Sequence, residues 1–353
     1  MSDSQKPVSS HPSGKRIKKL AVATDSRLLK QNVFILLVNR VGIYIVVVLL
    51  LIIGNIIAPG KYFTVANIRS TIQAIALLGM VAVGMSYVTF SANYADMSAP
   101  MTIAFSGMIT VTSLWMGFWP AVFCGIITGT FMGLVNGIMV GKFRAHPIIW
   151  TMAFNFVISG IVRWIYGGTQ VYPDMIAANK PMAVETFTLL ARSSFMGVPK
   201  MIVVMVLMFI AGQLILSKTK FGNQLKVVGS NYEVARLSGI NVVRSIILVY
   251  VINAICCSIA GIFLASLAKT GAYYLGDGYD FKAVTSVLLG GMTLAGGRGN
   301  IIGVFGGVLT IGMLSNIMNL IGIPTFNQWL IQGIVFLFIV WLNTNSSRKL
   351  GRG

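Results

Sequence analysis

Eight acidic side chains serve a chain of 353 residues: Asp3, Asp25, Asp96, Asp174, Glu185, Glu233, Asp277 and Asp280. Only Asp96 lies beside an otherwise apolar stretch, and the rest fall in tails or connections. A charge within a membrane is costly, so a carboxylate there is a functional candidate by default, suited to a broken helix beside a solute path. Asp96 and Ser98 also have the right types to cap free N–H groups where a chain turns into a helix. Asn136, Asn155, Asn253, Asn316 and Asn319 add amides within apolar runs. Such groups bond hydroxylated solutes or hold helices to one another. Asp96, Ser98, Asn136 and Asn155 are the residues expected along a translocation path.

The remaining reactive types form no catalytic constellation. Cys124, Cys256 and Cys257 sit in apolar runs without ligand-like spacing, and His11 and His146 are far apart, so no metal site is expected. The glycine-rich stretch from Gly290 to Gly303 lacks the Gly-x-x-x-x-Gly-Lys-Ser/Thr pattern that cradles phosphates. The chain itself is therefore expected to bind no cofactor, and any nucleotide must come on a partner. No nucleophile, base or metal cluster supports an intramembrane enzyme. An ion-coupled secondary transporter is the rival reading, but it usually needs intramembrane titratable groups, and here those are essentially Asp96 and Arg163.

These residues must be positioned by helices in a bilayer. Hydrophobic residues make up 56% and charged ones 10%, with a mean hydropathy of +0.82, whereas a soluble domain is about a quarter charged. The fold class is all-α: a polytopic helical membrane protein with about ten transmembrane helices, some short or discontinuous. The spans are expected at 41–58, 71–90, 98–117, 119–140, 147–166, 200–217, 245–267, 282–295, 301–320 and 327–343. The 282–295 span is short and runs through the turn Gly296-Gly297-Arg298-Gly299 into the next. Gly129, Gly133 and Gly137 form a four-residue ladder for close helix approach.

Net charge is +19, which in a soluble protein suggests nucleic acid. Position argues against that, because the basic residues lie in connections. Nineteen of the 27 Lys and Arg fall on the inner side of a ten-span topology with both termini cytoplasmic, as topology selection requires. Residues 1–32 form a basic cytoplasmic tail, 33–343 the transmembrane domain, and 344–353 a cytoplasmic tail. The first apolar stretch is too long for a cleaved signal core. Two connections are too long for turns: an outer one at 167–199, which suits docking of an external partner and equally reads as a plain surface loop, and an inner one at 218–244.

The inner connection contains Val228-Gly229-Ser230-Asn231-Tyr232-Glu233-Val234-Ala235-Arg236-Leu237-Ser238-Gly239-Ile240-Asn241-Val242. Ser230 or Asn231 can cap a helix, Glu233 suits its positive end, and Gly239 can close it in the left-handed conformation. A cytoplasmic helix of about two turns follows. Val234 and Leu237 would anchor its apolar side, leaving Glu233 and Arg236 for contact with another protein. From the residues alone, an amphipathic connector is an equal reading.

This stretch resembles the coupling-loop signature of the ribose/galactose/xylose-type bacterial ABC permeases, in which Gly-x-Asn, Ala-Ala/Ala-Arg and Ser-Gly-Ile-Asn-Val recur. The resemblance continues in Asp96-Met97-Ser98, Gly133-Leu134-Val135-Asn136-Gly137, Pro147-Ile148-Ile149-Trp150-Thr151 and Leu289-Gly290-Gly291 with Gly296-Gly297-Arg298-Gly299-Asn300. It implies a permease subunit of an ABC importer in the bacterial inner membrane, carrying a sugar-like solute and having no catalytic site. It also implies an ATPase partner that holds ATP and Mg, a periplasmic solute-binding protein and a second permease copy, all within membrane lipid. Asn231, Glu233, Ala235, Arg236 and Gly239 would couple to the ATPase. Nucleoside and branched-chain amino-acid ABC permeases are the near alternatives. The chain departs from the pattern at Asn93-Tyr94-Ala95, where Gly-Gly-Ile is usual, at Ala99-Pro100, where a Gly follows the Ser two residues on, and at Lys282, where an acid is usual.

Overall fold

The computed structural model describes residues 43–195 and 197–350. The basic segment 1–32 lies outside the described residues. Helices occupy every expected span: α1 (Ile43–Ile57), α2 (Val65–Phe90), α3 (Ala99–Thr112), α4 (Phe118–Gly141), α5 (Pro147–Tyr166), α6 (Pro173–Ile176), α7 (Pro181–Leu190), α8 (Lys200–Lys218), α9 (Lys220–Ser230), α10 (Tyr232–Leu237), α11 (Val242–Ala268), α12 (Tyr279–Leu289), α13 (Ile301–Leu320) and α14 (Thr325–Leu350). A two-stranded hairpin, β1 (Ser194–Phe195) with β2 (Val198–Pro199), precedes α8.

Among the described residues, seven helices are long and apolar enough to cross a membrane: α2, α3 with its 3-10 extension to Met116, α4, α5, α8, α11 and α13. The apolar parts of α1 and α14 are shorter. The expected 282–295 span is corrected to α12, an 11-residue helix about 16 Å long at 1.5 Å per residue. That is about half a hydrocarbon core of ~30 Å. The helix stops because Gly290 and Gly291 follow it, and Gly291 takes φ +88°. Asp280, expected in a connection, and Lys282, at the start of the expected span, are half-buried residues of α12.

Helix α11 is the axis of the bundle and packs against α2, α3 and α4. The glycine ladder makes this possible and is longer than expected, reaching from Gly125 to Gly141 on α4. A Cβ on Gly133 would lie 2.6 Å from the Tyr250 carbonyl oxygen, and one on Gly137 would lie 2.7 Å from the Ile247 Cα. Neither fits, so the two backbones approach as small-residue faces permit in a bilayer, where lipid supplies no hydrophobic drive.

Two non-helical stretches enter the bundle. Residues 91–98 join α2 to α3, and their Asp96 reaches Asn253 near the middle of α11. Residues 269–278 join α11 to α12 and descend beside α3: Gly271 lies against Met108, and Gly276 against the Pro100 backbone. Irregular backbone is tolerated at such depth only where protein surrounds it.

The two ends of the bundle differ. At one end α9 and α10 meet the 142–146 and 290–300 links. At the other, α6 and α7 form a cap over α3 and α11. Pro173 and Pro181 start these two helices at positions where the missing N–H is not needed. The Ser266 hydroxyl of α11 donates to the Phe187 carbonyl at 2.6 Å and accepts from the Ala191 N–H at 3.0 Å, fastening α7 down. Val171 and Gly271 exchange two backbone bonds.

Candidate functional site

The start of α3 lies inside the bundle, so its first N–H groups have no water to bond and need side-chain acceptors. Each finds one. The Ser98 N–H donates to Asp96 Oδ1 at 2.9 Å, the Met97 N–H to Thr151 Oγ1 at 3.0 Å, and the Met101 N–H to Asn155 Oδ1 at 3.2 Å. The last two acceptors stand one turn apart on α5, so that helix positions the break.

A continuous polar chain runs through the same point. Trp150 Nε1 donates to Asn136 Oδ1 at 3.0 Å, Asn136 Nδ2 to Ser98 Oγ at 2.7 Å, and Ser98 Oγ to Asp96 Oδ1 at 2.6 Å. From the other side, Asn253 Nδ2 donates to Asp96 Oδ2 at 2.8 Å. Asp96 is 2% exposed, Asn136 1% and Ser98 fully buried. A buried carboxylate is tolerable when its lone pairs are filled this way. The backbone of the break is itself strained: Ala92 has φ +63° and Tyr94 +59°, conformations that L-residues rarely adopt. Tyr94 stands where the resembled pattern has glycine, and its ring stacks on His146 at 6.2 Å.

The second break brings charge near the first. The α12 start is held by backbone bonds, from the Tyr279 N–H to the Gly276 carbonyl at 3.2 Å and from the Lys282 N–H to the Gly278 carbonyl at 3.1 Å, with the Asp280 carboxylate in its first turn. The Lys282 ammonium lies 5.6 Å from the Tyr279 ring and the Arg163 guanidinium 4.5 Å from the Tyr273 ring. Gln170 bonds both Tyr274 and Tyr172 at the edge of this region. Among the described residues no group of three His, Cys, Asp or Glu could hold a metal ion.

Near the Phe90 end of α2, the expected coupling helix is α10. Asn231 caps it, accepting from the Glu233 N–H at 2.9 Å and the Val234 N–H at 3.1 Å. Gly239 closes it with φ +77°, and Arg236 pairs with Glu233 at 2.9 Å. The expected apolar anchor is corrected: Val234 is 51% and Leu237 81% exposed, while Ala235 is fully buried. Of the helix's six residues only Ala235 is fully buried, with Tyr232 partly covered. Helix α9 itself was not expected. It buries Leu225, Val228 and Gly229, and Thr219 caps its start by accepting from Gly222 N–H at 3.2 Å.

Three segments converge behind α10. The Gly297 N–H donates to the Phe90 carbonyl at 2.8 Å, and Gly229 packs directly on both groups. Tyr232 is gripped by Arg144, whose guanidinium donates to its hydroxyl at 3.0 Å and lies 5.0 Å from its ring.

The structure thus gathers Asp96, Ser98 and Asn136 into one network, leaves Asn155 outside it holding the Met101 N–H of α3, and places Asn231, Glu233, Ala235, Arg236 and Gly239 in one helix and its caps. The other amides are engaged too: Asn316 and Asn67 bond reciprocally at 2.7 and 3.2 Å, and Asn319 accepts from Gln328 at 2.8 Å. Trp150 and Thr151 were visible only as members of a motif, and Asn253 only as one amide among several.

Comparison with known proteins follows the same lines. The family described as branched-chain amino acid transport system / permease component matches residues 64–340. The chain is 32% identical over 314 residues to the ribose import permease protein of Bacillus subtilis (strain 168), covering 88% of this chain and 94% of that protein. It is 33% identical over 304 residues to the L-arabinose transport system permease protein of Escherichia coli (strain K12), covering 86% and 89%. With the xylose transport system permease protein of the same strain it shares 26% over 345 residues, covering 82% and 88%. No solved structure matches the chain.

Proposed function

Because the chain belongs to this family of transport-system permease components, we propose that it is the membrane-spanning subunit of a binding-protein-dependent ABC importer for a sugar, with pentoses the first solutes to test. Ribose, arabinose and xylose appear in the names of its relatives. In this reading the end carrying α9 and α10 is cytoplasmic, together with both termini. A partner ATPase binds ATP and Mg and closes on α10. A periplasmic binding protein delivers the solute to the α6–α7 cap.

The observation that carries the reading is the build of α10. It is capped, exposed along Glu233, Val234, Arg236 and Leu237, and backed by the junction of Phe90, Gly229 and Gly297. A push on it is delivered to the end of α2, and so to the 91–98 break, and to the 290–300 link ahead of α13. Asp96, Ser98, Asn136 and Asn155 hold the α3 start in place beside the path rather than coating it in this conformation. A second copy would pack on the α5 side, since among the twenty residues of α5 only Thr151 and Val162 are buried. The solute would then pass between the two copies.

Uptake of labelled ribose, arabinose and xylose by cells expressing the complete transporter tests this. Arg236→Glu should abolish uptake while membrane insertion and permease assembly persist. Undiminished uptake by that variant, or a stable purified assembly with no ATPase in it, would overturn the reading.

A further inference from the structure

Away from the polar breaks, a groove of about 560 Å³ opens between α4, α7, α8 and α11. Its walls are Val122 and Ile126 of α4 and Ile259, Ile262 and Phe263 of α11. Its rim is polar, made by Thr186, Ser193 and Lys200. From Phe118 at the mouth to Ile126 is eight residues, about 12 Å along a helix. That is close to the hydrocarbon depth of one leaflet, about half of 30 Å. Trp119, 76% exposed beside the mouth, has the amphipathic ring that settles at a membrane–water boundary.

The charge at the mouth is cationic. Lys200 makes no ion pair among the described residues, and its N–H is held by the Ser193 carbonyl at 3.1 Å, which folds the rim closed. Arg192 is exposed two residues beyond α7, and Arg69 donates to its carbonyl at 3.0 Å. None of the groove-lining residues is acidic. An apolar slot one leaflet deep beneath a cationic rim is complementary to an acyl chain carrying an anionic group at its outer end.

We propose that this groove is a phospholipid site, with one acyl chain between α4 and α11 and an anionic headgroup against Lys200. The proposal depends on α4 and α11 spanning the bilayer and stands whether or not the transported solute is a sugar. The lipid seals α7 and α8 against the bundle, where protein side chains leave space.

The test is native mass spectrometry of the intact transporter from mild detergent, titrated with phosphatidylglycerol or phosphatidylethanolamine. One phosphatidylglycerol per permease copy should survive stepwise delipidation. Lys200→Glu should lower its retention at least fivefold relative to phosphatidylethanolamine, and Ile126→Trp, which fills the floor, should lower retention of both. Unchanged retention in either variant overturns the site. Should a variant not assemble, the wild-type transporter labelled with phosphatidylglycerol bearing a photoreactive acyl chain decides. Adducts concentrated on 118–126 and 259–263 support the proposal. Adducts spread evenly over α5 and α14, or groove residues crosslinked to a second copy, overturn it.

Discussion

Ser98 is the residue on which the α3 break depends, because its hydroxyl accepts from Asn136 and donates to Asp96 at once. Ser98→Ala leaves a buried carboxylate and a buried amide each short of a partner, a loss of about 1–3 kcal/mol. Thermal unfolding of the purified transporter should show it as a lowered midpoint. Four positions earlier, the chain carries a cost of its own: Tyr94 at φ +59°. Tyr94→Gly relieves backbone strain of about 1–2 kcal/mol and gives up the stack on His146, so the midpoint should hold or rise, and a clear fall would show that the stack outweighs the strain. Tyr250 offers a contrast, since its hydroxyl is buried and has no hydrogen-bond partner among the described residues. Tyr250→Phe removes an unsatisfied group, so its midpoint should not fall; a drop of several degrees would reveal a bond made in another state.

Among the elements, α10 has six residues and depends on its cap. Asn231→Ala should cost about 1 kcal/mol, seen as roughly fivefold faster amide exchange at Glu233 and Val234, with uptake reduced in parallel. On α4, Gly133→Leu would drive a side chain into the Tyr250 carbonyl and should prevent recovery of an assembled transporter. Much at this scale was legible in the sequence. Long apolar runs gave the spanning helices, the glycine ladder gave a close approach on α4 without naming α11 as the partner, and Asn231 and Gly239 gave the ends of α10. The illegible parts have physical reasons. In a helix that is apolar all round, periodicity cannot say which face is buried, so the buried side of α11 and the Asn253–Asp96 bond, 157 residues apart, left no local trace. The 269–278 link reads as a plain connection between spans because its glycines and charges are those of a loop. Only its contacts with Pro100 and Met108 place it inside. For α10, the apolar pair Val234 and Leu237 suggested an anchor, but apolar residues on so short a helix serve equally as contacts for a partner.

Across the whole molecule, the two ends have opposite builds, and their placement on opposite sides of the membrane is directly testable. In a variant whose three cysteines are replaced, Ser238→Cys should react with an impermeant thiol reagent only from the cytoplasmic side, and Thr186→Cys only from the periplasmic side. Labelling of both from one side would overturn the topology. The junction of Phe90, Gly229 and Gly297 carries a further consequence for how such proteins can recombine. Backbone from three distant parts of the chain touches there with no room for a side chain, so each part has been shaped by the other two. A chimaera that imports residues 220–240 alone from a relative would bring α9 into a seat cut for a different neighbour. Exchange should succeed only when residues 88–93, 220–240 and 290–300 travel together, which makes this end of the protein a single heritable module written in three separate pieces.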